Sequence, residues 1–345
     1  MERKLASIQK IVDIQPIEGA DMIEVATVLG WHCVVKKGEF QPDDLCVYFE
    51  VDSLLPVKEQ YEFLRKSCFN SRLNGFRIKT IKLRGQVSQG LAIPVEDVFG
   101  KIDMLDLKEG LDVTEILGVR KYEVEIPVSL SGAAKGNFPS FVPKTDEIRI
   151  QSVPAVLTRY NGVPFVVTEK LDGTSSTYYV KDGEFGFCSR NWDFKEDTEN
   201  TYAKIAKKYD IKEKLSKFGK NIAIQGEIVG PAIQKNRYKL ADHMLFVYHV
   251  FDIDNYRYFS HNDLEDFSTE FGFNIVPTVA RGIFLEECMR SVDEAVEFSV
   301  GQSLIYKDMQ REGIVVKSAL EKRDPDIGRL SFKVINPKYL LKYED

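Results

Sequence analysis

Four charged side chains interrupt stretches that otherwise read as buried strands, and this pattern restricts the fold more than any other feature of the chain. Lys170 closes the apolar run 163–169, and Glu227 lies inside Ile224-Gln225-Gly226-Glu227-Ile228-Val229-Gly230. Glu312 precedes Gly313-Ile314-Val315-Val316-Lys317, and Lys333 sits within Leu330-Ser331-Phe332-Lys333-Val334-Ile335-Asn336. A charge taken from water into a sheet interior loses its hydration, so each of these groups must be solvated, paired or put to use.

The surrounding pattern divides the 345 residues into two parts, a length that suits two domains. Short strand-like runs at 5–12, 23–29, 31–35, 45–49, 76–83 and 90–93 are punctuated by Pro16, Gly19, Gly30 and Gly38. Many short strands with such breaks predict an all-β barrel of the OB-like kind over 1–120. Ser129-Leu130-Ser131-Gly132-Ala133-Ala134-Lys135-Gly136-Asn137 has too little apolar content for a strand or packed helix, and Pro127, Pro139 and Pro143 surround it. It marks 121–143 as a linker. From 144 to 345 the pattern predicts an α+β domain with antiparallel sheets. A hairpin is expected around Lys181-Asp182-Gly183, a helix over 199–218 with a break near Asp210, and strands at 222–229, 244–251, 313–316 and 329–335.

Several function classes find no support. No apolar run reaches the roughly 18 residues of a membrane span, and the N-terminus lacks the pattern of a secretory signal. Five scattered cysteines suit free thiols, so the expected location is cytosol or nucleus, with a monomeric chain. Neither a GxxxxGK[ST] loop, a GxGxxG turn, a serine elbow nor a CxxC pair is present, and His32, His243, His249 and His261 have no ligand spacing. The net charge of −6 argues against a surface that coats nucleic acid everywhere. A local track does exist: 65–84 contains no acidic residue and offers Arg72, Arg77, Lys79, Lys82 and Arg84 to phosphates, with Phe69 and Phe76 interleaved.

Lys170-Leu171-Asp172-Gly173 poses a chemical problem. A lysine amine with a pKa of about 10.4 is protonated and non-nucleophilic near neutrality. A neighbouring Asp172 would only stabilise the ammonium form. The carboxylate makes sense if it helps hold a divalent cation, which repels the lysyl proton and neutralises phosphate. Arg149, Arg190, Arg311 and Lys317 are available as polyphosphate donors.

The ordered set resembles the covalent nucleotidyltransferase superfamily of polynucleotide ligases and messenger-RNA capping enzymes, whose nucleophile motif is Lys-x-Asp-Gly. Ser189-Arg190, Gln225-Gly226-Glu227, 246–253, Glu312-Gly313-Ile314-Val315-Val316-Lys317 and Phe332-Lys333-Val334-Ile335-Asn336 resemble its later motifs, in the right order. With the barrel placed first, the chain is most similar to the ATP-dependent RNA ligases of the Deinococcus type. The resemblance implies Lys170 as the residue that takes AMP from ATP, passes it to an RNA 5′-phosphate and allows a 3′-OH to seal the strand, with a nicked duplex as the expected substrate. It assigns Asp172, Glu227 and Glu312 to Mg2+ or Mn2+, Lys333 to the α-phosphate, Arg149 and Arg190 to phosphates, and Glu169 to the adenine amino group. Phe251, or Phe246, would stack on the base. Strand alternation puts these two on opposite faces unless a bulge intervenes. One departure stands out: Ile335 occupies the place of the family's second lysine, and Lys338, Lys317 or no residue at all replaces the missing charge. A DNA nick ligase or GTP-using capping enzyme, and a non-catalytic RNA-binding protein, are the competing readings.

Overall fold

The computed structural model describes residues 4–100, 107–122 and 132–343. In the first domain, Ala6–Pro16 pairs with both Leu45–Phe49 and Ile23–Val28, giving the sheet order Leu91–Pro94, Leu45–Phe49, Ala6–Pro16, Ile23–Val28, Trp31–Lys36. A register shift between Ile11 and Asp13 bends this long strand, which lets one segment serve two differently inclined neighbours. A second antiparallel sheet contains Ser53–Pro56 and Gly75–Arg77, and Thr80–Leu83 with Gln86–Gln89 forms a separate hairpin. The single strand expected over 76–83 is thus two strands in different sheets. Ile8, Val47, Phe49, Leu55 and Phe76 fill one core, and Ile11, Val28, Trp31 and Tyr48 another. This matches the expected N-terminal all-β, OB-like arrangement.

The second domain is α+β, built on an eight-stranded and a five-stranded sheet whose pairings are antiparallel apart from two short parallel ones. Thr174–Lys181, Ile222–Val229 and Met244–Asp252 form the middle of the larger sheet. Pro164–Lys170, Gly313–Ser318 and Ser331–Ile335 form the middle of the smaller one. Helices Thr201–Lys208, Ile211–Phe218 and His261–Phe271 contribute to the core that includes Ile224, Ile228, Val247 and Val250 on the larger sheet. Asp182 and Gly183 both adopt positive φ in the expected hairpin, and Asp210, at φ 50°, breaks the 199–218 helix where expected.

The linker reading needs correction at one end. Residues 123–131 lie outside the described residues, but Ala134–Asn137 is an edge strand paired with Trp192–Phe194. Its side chains are mostly exposed, so backbone pairing holds it without the apolar pattern that marks an interior strand. A strand at 53–56 and the last helix, Pro337–Tyr343, also lie beyond the sequence pattern.

The domains meet closely. The Gly30 N–H donates to the Gln151 carbonyl at 2.9 Å, Ser152 Oγ donates to Glu50 Oε1 at 2.6 Å, and Asp52 lies between Arg77, at 3.2 Å, and Arg149, at 3.4 Å.

Backbone proximity also shapes the smaller sheet. Gly313 pairs with Lys170 on one side and Ile335 on the other, and a Cβ built on it would lie 2.3 Å from the Val334 carbonyl oxygen. Gly313→Ala is expected to cost about 1–3 kcal/mol in urea unfolding, the range for overpacking against unyielding atoms. A change within about 0.5 kcal/mol, the scale of an unremarkable surface substitution, would show that the strands can separate freely.

Candidate active site

Lys170 ends the Pro164–Lys170 strand and faces Gly313 in register, which brings it beside Glu312. Lys170 Nζ donates to Glu312 Oε1 at 2.6 Å, with both side chains partly buried. Burial favours the neutral amine, but Glu312, Glu227 and Asp172 outweigh it and raise the Lys170 pKa above its ordinary value. Burial raises the pKa of Glu312 above the usual carboxylate range, and the Lys170 charge beside it opposes that rise. Glu227 comes from the other sheet, paired with Ser175; burial chiefly lifts its pKa to about 8, opposed by Lys170 and reinforced by Glu312 and Asp172. At rest, the candidate nucleophile is a bound cation.

Asp172 follows Lys170 into a turn gripped from outside. Its N–H donates to Tyr238 Oη at 2.8 Å, and its Oδ2 accepts from Tyr339 Oη at 2.5 Å and from Arg237 Nη1. Arg237 also donates to the Tyr343 carbonyl at 2.9 Å, and Gln234 Nε2 reaches the Gly173 carbonyl at 3.4 Å. Sequence reasoning missed these partners, because 231–243 has no strand or helix periodicity to draw attention to it and Tyr339 and Tyr343 lie in the last helix, which the pattern does not mark. Gly173 itself permits the approach: a Cβ there would lie 2.4 Å from the Ile228 carbonyl oxygen and 2.8 Å from Glu227 Cγ.

A cavity of about 1790 Å3 joins these groups to both domains, with Arg149, Glu169, Lys170, Asp172, Arg190, Glu227, Glu312, Lys317 and Lys333 on its wall. Glu169 is 1% exposed; its Oε2 accepts from the Leu304 N–H at 2.7 Å, while Oε1 is buried without a hydrogen bond. Lys333 lies beside Arg149 in the parallel pairing and exerts its charge on Glu312 and Asp146. Arg190 Nη2 donates to both Asp146 oxygens, at 2.6 and 2.7 Å, and Lys121 joins the same carboxylate at 3.4 Å.

The aromatic expectation changes. Gln225 pairs with His249 and Gly226 with Val247, leaving Tyr248 as the extra residue of a bulge. Phe246 and Phe251 therefore share the inner face, yet neither reaches the cavity wall. Phe251 is 1% exposed in a core with Tyr179 and Ala223, and Phe246 packs with Leu171 and Val276. Tyr248 and His249 line the cavity instead.

Arg311 is also reassigned. It is buried and donates to the Phe298, Ser299 and Val300 carbonyls, so it braces the chain rather than offering charge to a phosphate. Ile335 is 3% exposed. Of the two candidates for the missing lysine, Lys317 lines the cavity and Lys338, exposed, does not. The basic track is split as well: Arg77 is held by Asp52 and lies 3.9 Å over the Tyr122 ring, on the cavity wall, whereas Lys82 and Arg84 are exposed on the Thr80–Leu83 hairpin and Arg72 on a turn. Lys79 is half-buried between them.

For a divalent cation, the residues fit shared rather than complete coordination. Among the described residues no three His, Cys, Asp or Glu side chains converge on one point. Glu312 Oε2 is nevertheless buried with no hydrogen bond, and Glu227 and Asp172 border the same cavity. Such a set can hold an ion whose remaining ligands are phosphate oxygens and water.

Lys317 makes a separable prediction. It is 4% exposed, its amine donates to the Tyr248 carbonyl at 3.2 Å, and burial first, then Arg329, lower its pKa to about 7. Between that value and the ordinary lysine range the folded protein binds fewer protons than the unfolded chain, so this residue makes stability rise with pH. Wild type should gain up to about 1.4 kcal/mol per pH unit relative to Lys317→Met between pH 7 and 9 in urea unfolding. Parallel pH profiles would exclude a neutralised Lys317.

Comparison with known proteins agrees with this architecture. A family model described as an OB-fold domain matches residues 5–95, and one described as RNA ligase matches residues 163–335. No curated protein matches the chain. Among solved structures, Naegleria gruberi RNA ligase with PPi is 36% identical, with a TM-score of 0.90 and coverage of 100% of both chains. Mutants of that ligase with AMP and Mn, and with ATP and Mn, give the same identity and TM-score over 99% of both chains. With the RNA ligase model spanning half its length and a full-length similarity at this identity, the chain belongs to the RNA ligase family.

Proposed function

We propose that the chain is an ATP-dependent RNA ligase that works through AMP carried on Lys170. The observation that carries this reading is the Lys170 amine, 2.6 Å from Glu312 in a cleft whose facing sheet supplies Glu227. The Naegleria ligase structures with ATP, AMP, PPi and Mn support the nucleotide and the type of metal. In the first step Lys170 Nζ gives up its proton to solvent and attacks the α-phosphorus, the bond to the pyrophosphate oxygen breaks, and AMP remains on the amine. An oxygen of the RNA 5′-phosphate then attacks the AMP phosphorus and the bond to Lys170 Nζ breaks; a 3′-OH, giving up its proton, attacks the 5′-phosphorus, AMP leaves, and the strand is closed.

The chain's own groups divide these tasks. Glu312 holds the amine at the end of its strand, and Lys333 is the donor for the α-phosphate. Arg149 and Arg190 lie on the same wall for the pyrophosphate or the 5′-phosphate, although Arg190 must first share or leave Asp146. Glu169 Oε1, buried and unbonded, is suited to an adenine amino group, and Tyr248 replaces the phenylalanines as the aromatic beside the base. A Mg2+ or Mn2+ ion held by Asp172, Glu227 and Glu312, in part through water, would supply the positive charge that lowers the amine's proton affinity and neutralises phosphate.

The cavity exceeds the roughly 300–1,000 Å3 typical of small-ligand sites, and its walls come from both domains, which suits nucleotide plus RNA ends better than ATP alone. We assign positions 1–120, with the adjoining Lys121 and Tyr122, to RNA binding and 144–345, with the edge strand Ala134–Asn137, to nucleotidyl transfer, acting as a monomer on 3′-OH and 5′-phosphate ends, with a nicked duplex as the best substrate. Five free cysteines suit the cytosol or nucleus, and no described helix is long and apolar enough to cross a membrane.

Incubation with α-phosphate-labelled ATP and Mn2+ or Mg2+ should label wild type, leave Lys170→Ala unlabelled and strongly reduce Asp172→Ala. Tyr248→Leu should raise the ATP concentration for half-labelling, while Phe251→Leu should act mainly on stability. An unlabelled wild type would overturn the reading, and labelling by GTP alone would favour capping chemistry. Preference for DNA 3′ ends in a panel of nicked duplexes would point to a DNA ligase. For the hairpin, Lys82→Ala with Arg84→Ala should reduce the magnitude of the log–log salt slope of RNA binding by about 2. An unchanged slope would remove these two residues from the RNA path.

A further inference from the structure

We propose that Arg237 and Tyr339 are positioning residues that hold the Asp172 carboxylate in the orientation required for divalent-metal binding. Both bonds fall on Oδ2: Tyr339 Oη donates to it at 2.5 Å and Arg237 Nη1 donates beside it, so neither occupies Oδ1. The carboxylate is thereby fixed in rotation with one oxygen committed to the protein and the other available to the cavity that Asp172 lines.

The two residues arrive from opposite directions. Arg237 belongs to the stretch after Ile222–Val229, and Tyr339 belongs to Pro337–Tyr343, directly after the strand carrying Lys333. They also restrain each other, since Arg237 Nη1 donates to Tyr339 Oη at 2.8 Å and its Nη2 to the Tyr343 carbonyl at 2.9 Å. Their side of the cluster is well enclosed, with Arg237 and Asp172 side chains only 15% and 13% exposed.

Backbone strain in the segment points the same way. Ala232, Gln234, Lys235, Asn236 and Lys239 all have positive φ without being glycine, a costly conformation that persists only where surrounding contacts enforce it. The adjacent Tyr238 accepts the Asp172 N–H at 2.8 Å. The strained loop therefore holds the backbone of the turn through the Tyr238 hydroxyl and the Gln234 amide, and Arg237 fixes the carboxylate. Groups that hydrogen-bond a metal-ligating side chain tune affinity by restricting its orientation, and their loss typically weakens metal binding 10–100-fold.

This inference rests on the proposed metal role of Asp172, and the test separates the two. Free Mn2+ would be followed by electron paramagnetic resonance during titration into the full chain with AMP, for wild type, Asp172→Ala, Arg237→Gln, Arg237→Lys and Tyr339→Phe. The Mn2+ midpoint for labelling from ATP would be measured in parallel. Arg237→Gln should weaken Mn2+ binding about 10–100-fold and shift the labelling midpoint equally, with labelling recovered at high Mn2+. Tyr339→Phe, which removes one hydroxyl, should shift both in the same direction by less, and Arg237→Lys should restore part of the loss. Wild-type Mn2+ affinity in both Arg237→Gln and Tyr339→Phe, or tighter binding in Arg237→Gln, would overturn the positioning role. Failure of wild type to label, or unchanged Mn2+ binding in Asp172→Ala, would instead overturn the reading on which it rests.

Discussion

The ion pair between Lys170 and Glu312 is the constraint around which the rest of the second domain is arranged. A lone buried ammonium would be expensive, and a lone buried carboxylate equally so. Strand register solves both costs by placing them on neighbouring strands, with Gly313 leaving room between. The same solution makes Lys170 a poor nucleophile, because every nearby acid favours the protonated amine. Stability of the resting site and reactivity therefore pull in opposite directions, and a cation entering among the acids changes which one prevails.

The architecture supports that change without depending on one element. The larger sheet brings Glu227 and Tyr248, the smaller sheet brings Lys170, Glu312 and Lys333, and the first domain closes the cavity through Asp52, Arg77 and Lys121. Asp52, at φ 67°, joins Arg77 of its own domain to Arg149 of the other. The cationic wall is thus partly neutralised by built-in carboxylates, with Asp146 doing for Arg190 what Asp52 does for Arg149. An incoming phosphate meets guanidinium groups already held in place.

Much of this was legible in the sequence because it depends on local pattern. The Asp182-Gly183 hairpin, the break at Asp210 and the charged positions in apolar strands announce themselves through turn chemistry or an interrupted period. What escaped depends on long-range pairing. Ala134–Asn137 is held by backbone bonds to a distant strand, Arg77 leaves the basic track because Asp52 captures it, and Arg311 spends its donors on three carbonyls. Arg237 and Tyr339 lie 102 positions apart and meet each other at Asp172, a convergence that no spacing rule contains. Phe251 was the natural aromatic candidate from its motif position, but one extra residue in the strand gave the cavity wall to Tyr248.

That extra residue has an evolutionary implication. Deleting it would give a more regular ladder with Ile222–Val229, and on local pairing alone the shorter strand would look like an improvement. It would leave His249, Val250, Phe251 and Asp252 opposite Gln225, Ile224, Ala223 and Ile222 and on the faces they now hold, so the core would keep its side chains and the cavity wall would lose Tyr248. The ladder therefore places no demand on the extra residue, and any demand on it comes from the cleft. In descendants of this chain the length of the strand follows what the cleft must hold, not the core behind it.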